Sequence, residues 1–151
     1  MDFKQKYMKE AYKLAQKAQN EGEVPVGAVI VYEDKIIARG YNRRKKDETT
    51  DSHAEMVAIK KANKKIGSWR LEDCDIYVTL EPCPMCAGAI VQARIRNVFY
   101  GAKDTKAGAF GSVFDITKIE GLNHYPSVEG GIMEEECGTI LTEFFRNLRG
   151  K

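Results

Sequence analysis

The sequence predicts an α/β fold, a three-layer sandwich in which a mixed five-stranded sheet carries helices on both faces. Three observations lead there. Short apolar runs alternate with amphipathic stretches of helical period along most of the chain. The first run, Pro25–Tyr32, is dense in apolar residues, as a strand covered on both faces is. A strand, a short helix and another strand follow one another between Asp75 and Tyr100, and within one sheet that order implies a right-handed parallel crossover.

The elements follow in order. Residues 2–21 read as an amphipathic helix with Phe3, Tyr7, Met8, Ala11, Leu14, Ala15 and Ala18 on one stripe. Residues 25–32 form the first strand, Glu33-Asp34 a short turn, and residues 35–42 the returning strand. A polar loop over 43–51 leads into a helix with Met56, Val57, Ile59, Ala62 and Ile66 at helical spacing. Asp51 and Ser52 are its candidate caps. Trp69 and Leu71 are expected to pack near its end. Residues 75–80 form the third strand, ending at Glu81-Pro82. Pro84 suits the first position of the next helix, where its missing N–H would be unpaired in any case, and that helix runs to about Ala93. Residues 97–100 form a fourth strand, 101–126 a mostly irregular stretch, and 127–129 a short fifth strand beside Pro126 and Gly130-Gly131. Glu134 to Leu148 is a closing helix with Cys137, Ile140, Leu141, Phe144, Phe145 and Leu148 on one side.

A chain of 151 residues suits one domain, 1–151, with a real core. Hydrophobic content of 43% and charged content of 30% are those of an ordinary globular protein, not a disordered one. No apolar run is long enough to span a bilayer. The first residues are charged where a signal peptide needs an apolar stretch. Of the four cysteines, Cys74 and Cys137 read as small buried apolar residues, and a reducing cytoplasm is the expected location. Net charge is only +2, so the total does not announce nucleic acid. The distribution says more. Arg43-Arg44-Lys45-Lys46, then Arg94, Arg96, Lys103 and Lys106, then Arg146, Arg149 and Lys151 are basic clusters near the chemistry described next. Together they point to an anionic, extended substrate. Lysines 60, 61, 64 and 65 read as a solvated helix face.

The chemistry lies in His53-Ala54-Glu55 and Pro82-Cys83-Pro84-Met85-Cys86. One histidine and two cysteines make a three-ligand set, which leaves a zinc ion an open position for water. Two cysteines separated by two residues reach one ion from a single turn of chain, with Cys83 near a helix cap and Cys86 in the first turn. The helix dipole and the metal both favour thiolates there. Side chains of a first helical turn lean back toward its N-terminus, so His53 and Glu55 both reach an ion off that end. Two thiolates cancel the charge of zinc, and a neutral centre acidifies water less, so a neighbouring carboxylate is needed as general base. Simpler readings exist for each part. Ser52-His53-Ala54-Glu55 also fits a capping box, a lone Cys-x-x-Cys fits a redox pair, and a lone histidine fits a core residue.

The combined H-x-E…P-C-x-x-C pattern is that of zinc nucleobase deaminases. With Glu23–Ala28, Asn42, Leu80-Glu81-Pro82, Gly101–Gly108 and Phe144-Phe145-Arg146, the chain resembles the bacterial tRNA-specific adenosine deaminases of the cytidine deaminase-like superfamily over nearly its whole length. The resemblance implies a hydrolase that converts adenosine to inosine at the wobble position of a tRNA anticodon, chiefly of an arginine tRNA. It implies one zinc per subunit on His53, Cys83 and Cys86. Glu55 would shuttle protons as zinc-activated hydroxide attacks adenine C6. It further implies a homodimer, with the anticodon stem-loop as partner and no membrane.

The same resemblance places Val26, Ala28 and Ala54 around the base, although each also reads as packing. Asn42 can read a purine edge with a donor and an acceptor together, or simply form a turn. Asp104 can accept from a ribose 2′-OH and Lys106 can meet phosphate, or both belong to a solvated turn. Phe144 and Phe145 point in different directions on one helix, so one can be core while the other stacks on a base. His124 is either an RNA contact or a surface residue. Two other functions compete: a deaminase of free bases or nucleosides, such as guanine, and a catalytically dead zinc module that binds tRNA for a partner.

Overall fold

A computed structural model describes residues 2–149. Helix α1 (Phe3–Asn20) starts at Asp2, whose side chain accepts a hydrogen bond from the Gln5 backbone N–H at 2.9 Å. Strands β1 (Gly27–Tyr32) and β2 (Lys35–Tyr41) form a hairpin. Its turn residues Glu33 and Asp34 both have positive φ, at 49° and 63°, which suits the right-handed twist of the strands. A short helix α2 (Arg44–Asp47) lies inside the stretch that the sequence left as loop. Helix α3 (Ala54–Ile66), strand β3 (Cys74–Leu80), helix α4 (Pro84–Ala93) and strand β4 (Asn97–Ala102) follow. A single 3-10 turn at Ile116–Lys118 breaks the long irregular stretch before β5 (Ser127–Glu129) and α5 (Glu134–Arg149).

The sheet order is β2-β1-β3-β4-β5. β1 is antiparallel to β2 and β3, whereas β3, β4 and β5 run parallel. The mixed five-stranded sheet is the one expected, including the short strand at its edge.

Alternation along the strands makes two cores. Ala28, Ile30, Ile76, Val78 and Val98 face α3 and α4, where they meet Ala58, Ala62, Ala87 and Ile90. Val29, Val31, Tyr77 and Phe99 face the other way, toward Tyr7, Met8 and Ala11 of α1 and Cys137 of α5. Tyr77 stacks on Phe99 with ring centroids 4.6 Å apart. Each face of the sheet thus has its own helix layer.

One close approach matters for the site. A side chain on Gly40 of β2 would collide with the Ala54 carbonyl in the first turn of α3. Glycine there lets the beginning of α3 press directly onto the sheet.

Trp69 departs from expectation. Its carbonyl accepts from Asn63 near the end of α3, but the residue is 55% exposed, with the guanidinium groups of Arg70 and Arg94 at 4.7 and 5.6 Å from its ring centroid. Its neighbour Leu71 is buried as expected.

Candidate active site

Two helix N-termini converge at one rim of the sheet. His53 is the residue that caps α3 and Cys83 the one that caps α4, yet neither side chain bonds its own helix. Both side chains turn toward each other instead. His53 Nδ1 lies 3.6 Å from the Cys83 sulfur and 3.6 Å from the Cys86 sulfur. The three donor atoms all lie within 4.8 Å of one another. Zinc bonds of about 2.0–2.1 Å to nitrogen and about 2.3 Å to sulfur, at a tetrahedral angle, separate N from S by about 3.5–3.6 Å. The donor set therefore fits such an ion.

Protonation points the same way. The hydrogen bond from the Cys86 thiol pulls Cys83 down to about 4, and His53 adds to that pull. Cys83, with burial, drives Cys86 far upward, so without a metal Cys86 keeps its proton. A cation that takes the place of that proton leaves two thiolates. All four cysteines are free of disulfides, and Cys74 and Cys137 are buried apart from this cluster. Burial pushes Cys74 up to about 11 and Cys137 up to about 12, which keeps them as inert thiols.

The expected caps of α3 do other work. Ser52 Oγ donates to Asp47 at 2.9 Å, and Asp51 pairs with Lys60 at 3.2 Å. The capping box is not formed, because Glu55 is the second residue of a helix capped by His53. Glu55 is only 4% exposed. Burial pushes its carboxyl up to about 7, and the nearby Cys83 thiolate adds to the shift.

The cluster forms one wall of a cavity of about 160 Å³ whose lining includes Val26, Asn42, His53, Ala54, Glu55 and Cys83. That is smaller than the roughly 300–1,000 Å³ of pockets that enclose drug-sized ligands, a size that suits a flat base. Of the small residues expected around the base, Val26 and Ala54 line the cavity. Ala28 does not: it is fully buried in the core beneath α3 and is a packing residue. Asn42 is buried to 8% exposure at the cavity wall. Its Nδ2 donates to the Val24 carbonyl at 3.4 Å, and its Oδ1 accepts from the Arg44 N–H at 3.3 Å.

The cavity opens into a wider groove of about 600 Å³, sharing Val24, Leu80, Asp104 and Ala107 with it. Lys103, Lys106, Phe145 and Arg149 line this groove. Phe145 therefore faces the path to the site, whereas Phe144 lines a separate depression beside Gln19 and Lys45. Asp104 Oδ1 accepts from the Lys106 and Ala107 N–H groups, at 3.0 and 3.1 Å, and so shapes its own turn. His124 lies at the opposite end of the sheet, where its Nε2–H donates to the Ile95 carbonyl at 2.7 Å.

Sequence reasoning missed several members of the site. Val24, Leu80, Glu81 and Ala107 line the cavity beyond the expected residues, and Arg44 of the basic cluster lines it too. Glu23 was missed as well. It is 4% exposed and accepts from the Lys45 and Lys46 N–H groups, at 3.1 and 2.7 Å, fixing the basic helix α2 beside the site. The signal was present as an acid at the edge of an apolar strand.

Comparison with known proteins gives the class first: the MafB19-like deaminase family matches residues 2–149. The tRNA-specific adenosine deaminase of Bacillus subtilis (strain 168) is 51% identical over 145 residues, 96% of this chain and 90% of that protein. A solved chain from studies of A-to-I editing by tRNA:A34 deaminases superposes with a TM-score of 0.85 at 41% identity, covering 89% of this chain and 98% of its own. The guanine deaminase of Bacillus subtilis superposes with a TM-score of 0.64 at 35% identity, covering 94% of this chain and 92% of that one. The chain belongs to this deaminase family and, within it, to the branch of the tRNA-specific adenosine deaminases.

Proposed function

We propose that the protein hydrolyses adenosine to inosine at the wobble position of a tRNA anticodon, chiefly that of an arginine tRNA, with release of ammonia. The observation that carries this reading is the placement of Glu55. A buried carboxyl stands beside the His53, Cys83 and Cys86 donors at the wall of a base-sized cavity that opens into a basic groove.

His53, Cys83 and Cys86 would hold one zinc ion per chain. A zinc ion there supplies Lewis-acid activation of water. Glu55 accepts a proton as water adds to C6 of adenine. It returns that proton at N1, then takes the second from the new C6 hydroxyl and passes it to the departing amino nitrogen as the C6–N bond breaks, so that water and adenosine yield inosine and ammonia. Its raised proton affinity suits both directions of transfer.

A base stacked in a duplex does not reach this cavity, so the adenine enters flipped out of the anticodon loop. Val26 and Ala54 leave room for the ring, and Asn42 meets its edge. Asp104 Oδ1 is committed to its own turn, which leaves Oδ2 to accept from the ribose 2′-OH. Lys106 meets phosphate, and Phe145 stacks on a flanking base.

The protein acts as a homodimer. Exposed apolar side chains support this reading: Val113, Phe114 and Ile119 flank the 3-10 turn that packs against α4, Ile66 ends the neighbouring helix α3, and Trp69 lies three residues beyond it. A cytoplasmic location accords with the tRNA substrate. Among the described residues no helix is long and apolar enough to cross a membrane.

The likeness to a guanine deaminase favours a second reading, free guanine as substrate. Incubation of the purified protein with total tRNA and with free guanine separates the two. Inosine in the tRNA supports editing, and xanthine from guanine with unaltered tRNA supports the alternative.

A further inference from the structure

Glu81 stands two positions before Cys83 and is 1% exposed. Its carboxylate is an acceptor on every side. Oε1 takes the Asp104 N–H at 3.1 Å, and Oε2 takes the Phe110 and Ser112 N–H groups at 2.9 and 3.2 Å. The Ser112 hydroxyl also donates to Oε1. Two backbone bonds run alongside: the Glu81 N–H donates to the Ala102 carbonyl at 2.9 Å, and the Ala109 N–H donates to the Pro82 carbonyl at 2.9 Å. A side chain on Gly108 would collide with the carboxyl group, so the loop closes around it without a gap.

The loop so gathered carries Asp104 and Lys106 on the wall of the groove. The strand end so gathered runs into Cys83. The Asp104 turn ties together only residues within the loop. Among the described residues, the side-chain hydrogen bonds from this loop to the segment that precedes Cys83 all end on the Glu81 carboxylate. A primary amide has the same shape but presents a donor where three N–H groups converge, leaving a buried N–H without an acceptor.

We propose that Glu81 is a positioning residue, whose carboxylate fixes the 104–112 loop against the Cys83 segment and so sets the RNA groove in register with the catalytic cavity. This rests on the RNA-editing reading above. Glu81 touches no reacting atom; it acts through Lys106 and Asp104.

The test is Glu81→Gln in the zinc-loaded protein, with an anticodon stem-loop carrying adenine at the wobble position. Metal content, KM and kcat are measured, each also in combination with Lys106→Ala. The expected result is one metal per chain, KM raised about tenfold or more, and kcat within about threefold of wild type, the scale of one or two charge-assisted hydrogen bonds lost from binding alone. Lys106→Ala should then add little, because an unfixed loop no longer presents Lys106. An unchanged KM, a parallel loss of metal and kcat, or a full additive cost of Lys106→Ala would overturn the proposal. Should Glu81→Gln fail to fold, Ser112→Ala and Gly108→Ala decide. Both should raise KM before kcat, and an unchanged KM in both counts against Glu81. Should the wild type not deaminate the stem-loop, the RNA-editing reading fails by itself. Trypsin cleavage at Lys103 and Lys106 then reports on the loop: faster cutting in Glu81→Gln is expected, and equal cutting overturns the proposal.

Discussion

His53 and Cys83 hold the same position in two different helices: each is the capping residue, each leaves its own helix uncapped, and their Nδ1 and Sγ atoms lie 3.6 Å apart. Residues thirty apart in sequence are thus joined by two helix starts. Serine is among the preferred capping residues, worth roughly 0.5–2 kcal/mol over alanine. Cys83→Ser should therefore keep helix α4 and the fold while metal content falls well below one per chain and activity is lost. Elemental analysis beside circular dichroism checks this. A folded, active Cys83→Ser protein without metal would contradict the metal assignment.

Glu55 gives the clearest separation of chemistry from structure. Glu55→Gln should retain metal and RNA binding but lose about 10²–10⁴-fold in kcat, the contribution of a general acid–base group. It should not lose stability. The native carboxyl is held up to about 7 by burial, so ionising it in the folded protein opposes folding as pH rises above the ordinary carboxylate range. Thermal melts of both proteins at neutral pH measure this. A capping role predicts the reverse, a loss of about 1 kcal/mol with activity intact.

The four cysteines should fall into two classes toward a thiol reagent. With metal bound, none should react quickly. After chelation Cys83 should react first, since it is partly exposed and drawn down to about 4 by its neighbours. Cys74 and Cys137, raised to about 11 and about 12 by burial, should react only on unfolding. Peptide mass mapping after alkylation reads the order. Early labelling of Cys74 or Cys137 in the folded protein would contradict their core placement.

The two adjacent phenylalanines should behave differently. Phe145 lines the groove next to Lys106 and Arg149, and Phe144 does not. Phe145→Ala should weaken stem-loop binding by about 1–3 kcal/mol, the worth of one stacked base. Phe144→Ala should change binding less and stability more. Neutralising Lys103, Lys106 and Arg149 together should flatten the dependence of binding on salt. Binding titrations at several salt concentrations cover all of these, and a salt-independent wild type would argue for a small-molecule substrate.

Much of the molecule was legible in the sequence, for identifiable reasons. The sheet was readable because Val29 and Ile30 start alternations that two different cores complete. The metal set was readable because its spacing is local on each helix. Helix α2 was not, because the Glu23 carboxylate twenty-two residues upstream of Lys45 organises its backbone. The role of Glu81 is not legible locally, since its partners lie 23 to 31 residues ahead. Packing near the end of α3 is expected of Trp69 as of Leu71, but its ring lies at the surface with two arginines against it. The split between Phe144 and Phe145 depends on the rotation of α5, which an apolar stripe does not fix to within one residue.

The chemistry assigned to this cavity is deamination of an unpaired wobble adenine. The most direct measurement incubates the zinc-loaded protein with an anticodon stem-loop bearing adenine at the wobble position, with the same adenine in a duplex, and with Glu55→Ala on the loop, and sequences each product for inosine. Inosine is expected in the loop with wild-type protein and in neither of the other two. Inosine formed equally in the duplex, or by the Glu55→Ala protein, would contradict that assignment.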